Sequence, residues 1–279
     1  MSALADLLAR TRAENRPALV GYLPAGFPDK QTAIDAMVAM VEGGVDIVEV
    51  GLPYSDPVMD GLTIQRAADA ALAGGTKVAD VLDTVEAVAA TGAPTLIMTY
   101  WNPVERVGVE DFASRLAAAG GAGLITPDLI PDEAEEWVSA SDAHGLDRVF
   151  LVAPSSTDER LAMTAQASSG FLYATSVMGV TGTRSATSNA APTLVSRVRA
   201  VSDIPVGVGL GVSNGDQAAE VGEFADLVIV GSALVARLLG AGSDTAKGVA
   251  DVRRLAEDLR AGVERARTAD RPLDKGALA

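Results

Sequence analysis

The chain has 279 residues, 48% of them hydrophobic, and a formal charge of −15, which is enough chain to bury a large core and enough negative charge to repel a nucleic-acid backbone at long range. With no cysteine and one histidine, it excludes disulfides, thiolate metal sites, cysteine nucleophiles and multi-histidine metal centres. The opening MSALADLLARTRAENR interrupts its apolar residues with charges, so neither a secretion signal nor a membrane span is supported and a cytoplasmic location is expected.

In chain order, residues 2–14 place Leu4, Leu7 and Leu8 at helical spacing, predicting an N-terminal helix that caps the bottom of the fold. Eight short runs rich in Val, Ile and Leu then recur, at 18–23, 45–51, 94–100, 122–129, 148–153, 170–177, 205–210 and 225–230. Each reads as a buried strand. Helical period separates them, as in Val81, Leu82, Val85, Val88 and Ala89, or in Phe112 followed by 116–119. Alternation of this kind implies a parallel sheet, because every crossover must return to the same end of the sheet. Eight units predict an α/β fold, a single (β/α)8 TIM barrel domain over 1–279. To it are added the N-terminal helix, a long loop after strand two and a short phosphate-site helix after strand eight. The rival is a doubly wound open sheet, but the first strand carries no glycine-rich dinucleotide fingerprint.

Loops beyond the C-terminal ends of barrel strands carry the chemistry of such folds. After strand two, 53–61 is a polar loop with two prolines and two aspartates, a candidate lid. After strand six comes GVTG at 179–182, after strand seven GLGVS at 209–213, and after strand eight Gly231 and Ser232 open the short segment SALVARLL. Glycine permits close backbone approach, and N–H groups at a helix start present partial positive charge. Each turn alone is equally a tight strand-to-helix connection. Three on one rim point to a phosphate-bearing small substrate that needs no lysine.

In strand two, period-two alternation sets Val45, Ile47 and Glu49 on one face. Barrel strands bury both faces, so Glu49 is buried either way. An unpartnered carboxyl there has a raised pKa and can give and take a proton; a structural salt bridge to a barrel arginine is the alternative. Asp60 closes the loop and can reach the same mouth, although Asp-Gly is also a common turn pair. In strand six Phe171, Tyr173 and Thr175 share a face, and Tyr173 either projects a phenol into the pocket or packs in the core. The lysines, Lys30, Lys77, Lys247 and Lys275, fall away from strand C-termini, which disfavours Schiff-base chemistry. His144, between Ala143 and Gly145, reads as a solvated residue in a loop at a helix end.

The run DIVEVGLPYSDPVMDGLTIQ at 46–65 closely resembles the signature of tryptophan synthase alpha subunits. GYLPAGFP at 21–28, MTYWNP at 98–103, PDLIP at 127–131, GVTG at 179–182 and GSA at 231–233 join it in family order, so the resemblance spans nearly the whole chain. It implies a lyase that splits indole-3-glycerol phosphate into indole and glyceraldehyde 3-phosphate in tryptophan biosynthesis. Carried over by residue, Glu49 protonates indole C3 and helps deprotonate the glycerol hydroxyl. Asp60 accepts the indole N–H and stabilises positive charge on the ring, and Tyr173 supports the catalytic carboxylate. Tyr22, Met98, Tyr100 and Ile125 are implied walls for the indole, and Gly182, Gly211, Gly231 and Ser232 implied phosphate contacts. Thr181 stands on a mobile loop that closes over the substrate and touches Asp60.

The resemblance further implies an α2β2 assembly with a beta subunit that carries pyridoxal phosphate and receives the indole through a tunnel. The alpha chain itself has no cofactor or metal, and Pro53, Asp56 and Pro57 face the partner. Trp101, Ile130 and the Val177-Met178 pair depart from the usual family pattern without removing a proposed catalytic group. Read without the resemblance, the residues also fit another sugar-phosphate aldolase or isomerase, or a phosphate-binding regulatory subunit with little catalysis of its own.

Overall fold

The computed structural model describes residues 2–175, 190–209 and 211–266. Its strands are β1 (Ala18–Pro24), β2 (Ile47–Gly51), β3 (Thr95–Met98), β4 (Gly123–Thr126), β5 (Asp147–Val152), β6 (Leu172–Thr175), β7 (Val206–Gly209) and β8 (Leu227–Val230). All pair in parallel in chain order, and β8 returns to β1, closing the barrel. Helix α1 (Ala3–Ala13) precedes β1, and α2 (Lys30–Glu42) follows it. After β2 come α3 (Leu62–Ala73) and α4 (Val78–Ala89), and after β3 come α5 (Trp101–Val107) and α6 (Val109–Ala118). The next crossovers are α7 (Glu135–His144), α8 (Asp158–Ala167), α9 (Ala190–Arg199) and α10 (Gly215–Gly222). Two helices, α11 (Ser232–Ala241) and α12 (Thr245–Arg265), follow β8. This is the predicted (β/α)8 architecture with its three additions.

Period-two alternation along each strand divides the core into two layers. The inner one fills the barrel with Ala18, Val20, Ile47, Leu96, Ile125, Val149, Phe171, Leu227 and Ile229, and Leu4, Leu7 and Leu8 of α1 join it from below. The outer layer sets Leu19, Val48, Val50, Ile97, Leu124, Leu172, Val208 and Val228 against the helices. Ser2 starts α1 as its N-cap: its hydroxyl accepts the Ala5 N–H at 3.2 Å and donates to Asp147 at 2.7 Å. The plug is thereby tied to the start of β5.

Asp46, just ahead of β2, anchors the same end. Its carboxylate accepts two bonds from Arg16 at 2.7 and 2.9 Å, one from Arg260 of α12 at 3.1 Å and the Leu19 N–H at 2.9 Å. Among the described residues, no helix is long and apolar enough to cross a membrane.

Three sequence expectations shift. Val45 does not share a face with Ile47 and Glu49: it lies before β2 begins and packs in the outer layer, because the chain is still leaving the turn after α2. The strand predicted over 94–100 ends at Met98, and Tyr100 becomes the N-cap of α5. His144 is the last residue of α7, not part of a loop. The helix continues until Gly145 adopts a left-handed φ of 66°, and the His144 ring, 24% exposed, rests 2.7 Å from Glu110 on α6.

Candidate active site

Ile47 points into the barrel, so Glu49, two residues on, does as well. It is 1% exposed, and its Oε1 has no hydrogen-bond partner among the described residues. Burial alone raises the carboxyl to about 8, since low-dielectric surroundings penalise the charge with nothing opposite to repay it. Near neutral pH, Glu49 is therefore a protonated acid at the barrel mouth. Among the described residues the alternative for Glu49, a salt bridge to a barrel arginine, is not formed; the barrel-end arginines Arg16 and Arg260 hold Asp46.

Two phenols stand near it. Tyr22 is the register partner of Glu49 across β1 and β2. Burial pushes its phenol well up, and the negative charges of Asp60 and Glu49 push it further. Tyr173 rises from β6, where burial first and then the same two carboxyls drive its pKa upward. Both phenols stay protonated and are available as neutral donors. Room for their rings comes from strand-end glycines. A methyl at Gly51 would stand 2.6 Å from Tyr22 Cζ, and one at Gly209 would stand 2.5 Å from the Tyr173 oxygen.

Asp60 ends the loop between β2 and α3. Partial burial raises its carboxyl to about 6, so it is largely ionised at neutral pH. Its backbone carbonyl accepts Gln65 Nε2 at 2.7 Å. A small cleft opens here, lined by Tyr22, Leu52, Asp60, Met98, Thr99, Tyr100 and Pro127. Its walls are mostly aromatic and apolar, with the Asp60 carboxylate among them, while the neutral acid Glu49 is not a lining residue and borders the cleft through its register partner Tyr22. That combination can protonate a flat aromatic ring and stabilise the positive charge that results.

Of the expected indole walls, Tyr22, Met98 and Tyr100 line this cleft, whereas Ile125 is fully buried in the inner core layer and is not among the lining residues. Leu52, Thr99 and Pro127 were missed by sequence reasoning; their only signal is position, each the first residue beyond a strand end. Trp101, the bulky departure from the family pattern, packs its ring on Trp137 with centroids 6.4 Å apart.

Beside Tyr22, after β8, Gly231 and Ser232 begin α11 without a side-chain cap. The first intrahelical bonds are donated by Leu234 and Val235 to the Gly231 carbonyl, so the N–H groups of Ser232 and Ala233 precede the helix ladder and suit an anion. Gly211 has a left-handed φ of 68° just after β7. Thr181 and Gly182 lie outside the described residues. In the long loop Pro53 is buried, Asp56 exposed and Pro57 half-buried, and the neighbouring Val58 and Leu62 are 73% and 68% exposed. Among the described residues no group of three or more His, Asp or Glu side chains is placed to hold a metal ion.

The chain is similar in sequence and in fold to known proteins. The family model for the tryptophan synthase alpha chain matches residues 8–264. The tryptophan synthase alpha chain of Mycobacterium marinum is 63% identical over 262 residues, covering 94% of this chain and 95% of that one. That of Acidothermus cellulolyticus is 62% identical over 265 residues, covering 95% and 98%. Among solved structures, a chain of Mycobacterium tuberculosis tryptophan synthase superposes with a TM-score of 0.89 at 59% identity, covering 94% of this chain and 98% of its own. The alpha subunit from Legionella pneumophila superposes at 0.84 with 31% identity, covering 95% and 99%.

Proposed function

The chain belongs to the tryptophan synthase alpha chain family, and we propose on that footing that Glu49, Asp60 and Tyr173 carry its lyase chemistry, the cleavage of indole-3-glycerol phosphate to indole and glyceraldehyde 3-phosphate in tryptophan biosynthesis. One observation bears most of the weight: Glu49 is buried, has no partner on Oε1 among the described residues, and its burial keeps it neutral near pH 7. Its proton goes to indole C3, and the carboxylate left behind takes the proton of the glycerol hydroxyl as the carbon–carbon bond breaks. Asp60, ionised above about 6, accepts the indole N–H and offsets the charge on the protonated ring. Tyr173 donates to Glu49 while it is ionised. Tyr22, Met98 and Tyr100 contact the indole, and Gly211, Gly231 and Ser232 bind the phosphate together with Gly182. Thr181 closes over the bound substrate.

The same footing supplies a partner, the tryptophan synthase beta subunit, in an α2β2 assembly. Pro53, Asp56 and Pro57 face it, and the pyridoxal phosphate belongs to that subunit, so this chain works in the cytoplasm with no cofactor of its own.

The test is indole release from indole-3-glycerol phosphate by the purified chain, with and without a beta subunit, beside Glu49→Gln. Indole that increases with the partner, and that the variant forms at least about a thousandfold more slowly while still binding substrate, is the expected result. Turnover retained by the variant removes Glu49 from the chemistry.

A further inference from the structure

Tyr100 has a second task besides lining the cleft. Its hydroxyl oxygen accepts two backbone N–H groups at once, from Val58 at 3.1 Å and Met59 at 3.0 Å. These are the two residues before Asp60. The ring of Tyr54, earlier in the same loop, lies on the Tyr100 ring with centroids 5.2 Å apart, and the Tyr54 hydroxyl accepts Asn102 Nδ2 at 3.0 Å. Asp128, beyond β4, accepts the Trp101 N–H at 2.9 Å, which pins the start of α5 directly after Tyr100. The loop carrying Asp60 is thus held at two points by the segment after β3. Val58 is itself 73% exposed, so its side chain adds no packing of its own to keep this stretch in place.

We propose that the Tyr100 hydroxyl is a positioning residue for Asp60, a latch on the Val58 and Met59 amides that sets where the carboxylate meets the substrate's ring nitrogen. The inference rests on the assignment of Asp60 to that nitrogen. Without the latch, two amides turn to water, the loop loosens and the Asp60 carboxyl is solvated in more of its conformations. Its pKa, raised from the usual 3.8 to about 6 by burial, then moves back down.

Tyr100→Phe isolates the hydroxyl, because the ring that walls the cleft and stacks on Tyr54 remains. Three quantities are measured on the full chain: kcat and KM for indole release, the position of the low-pH limb of kcat/KM, and hydrogen exchange at the Val58 and Met59 amides, with Asp60→Asn beside it. The expected result is a roughly tenfold fall in kcat, KM within about twofold, a low-pH limb displaced downward by at least about half a unit, and about tenfold faster exchange at both amides. Asn102→Ala, which loosens Tyr54 without touching the cleft, moves the limb and the exchange the same way by less, and covers the case in which Tyr100→Phe folds poorly. An unchanged limb and exchange in Tyr100→Phe overturn the latch, as does a rise in KM with kcat held, which is the mark of a wall alone. If Asp60→Asn keeps its turnover, the Asp60 assignment fails, while the amide exchange still reports on the latch by itself.

Discussion

Glu49 is made an acid by its surroundings, and a single residue therefore couples catalysis to stability. With Asp60 required ionised and Glu49 required protonated, kcat/KM should rise through about 6 and fall through about 8. A profile flat from about pH 5 to about pH 9 would be incompatible with this assignment of acid and base. The same burial costs stability. Below the ordinary value of 4.5 the carboxyl is protonated in both folded and unfolded chains and has no effect on the balance. Between 4.5 and about 8 the unfolded chain ionises while the folded one does not, so folding loses free energy as pH rises, and above that the whole penalty is present. At about 1.4 kcal/mol per unit, Glu49→Gln should gain on the parent chain by roughly 2–4 kcal/mol between about pH 5 and about pH 8. Urea titrations at the two pH values measure it, and a gap that fails to widen would mean the carboxyl is better solvated than its burial indicates.

At the scale of elements, strand ends are where side chains of neighbouring strands compete for room. Tyr22 on β1 leans over Gly51 on β2, whose missing side chain leaves space for the ring. Gly51→Ala should drive the Tyr22 ring into the cleft and raise KM for the substrate about tenfold, with the melting temperature lowered by only a few degrees. A KM that stays put would show that the ring finds another seat. Contacts of this kind separate what the sequence discloses from what it hides. Eight strands were legible because parallel strands buried on both faces print continuous apolar runs, and Glu49 stood out as a carboxyl inside one. The glycine turns and the plug of Leu4, Leu7 and Leu8 were legible through period and position. Val45, by contrast, obeys the alternation of β2 while lying outside it, and only the turn after α2 decides that. The role of Tyr100 leaves no periodic trace, because its hydroxyl accepts N–H groups 41 and 42 residues away in the chain. Ile125 was named a wall only through the resemblance, yet it is fully buried in the inner core layer and is not among the residues that line the cleft.

Across the whole molecule, the two ends of the barrel carry different duties. The mouth keeps an unpartnered acid, a carboxylate with a raised pKa and an uncapped helix start, each unfavourable for stability and useful for chemistry. The bottom does the opposite: polar groups there are paired, and α1 closes the interior. Asp46 shows this most sharply. It is 8% exposed in its side chain, against 11% for Arg16 and 26% for Arg260, so removing it takes the shared buried partner from both guanidinium groups, leaves them to the more exposed Glu14 and Glu264, and costs the Leu19 N–H its side-chain acceptor. Asp46→Ala should cost about 2 kcal/mol of folding stability, because four hydrogen bonds to one buried carboxylate go at once, which is more than the modest worth of a surface pair. It should leave kcat per folded molecule unchanged, since Asp46 lies at the opposite end of β2 from Gly51 and the cleft. Unfolding curves and active-site titration on the same preparation separate the two effects. A variant that is stable but slow would mean that strain at the bottom is transmitted along β2 to Glu49, and that the barrel does not insulate its ends from each other.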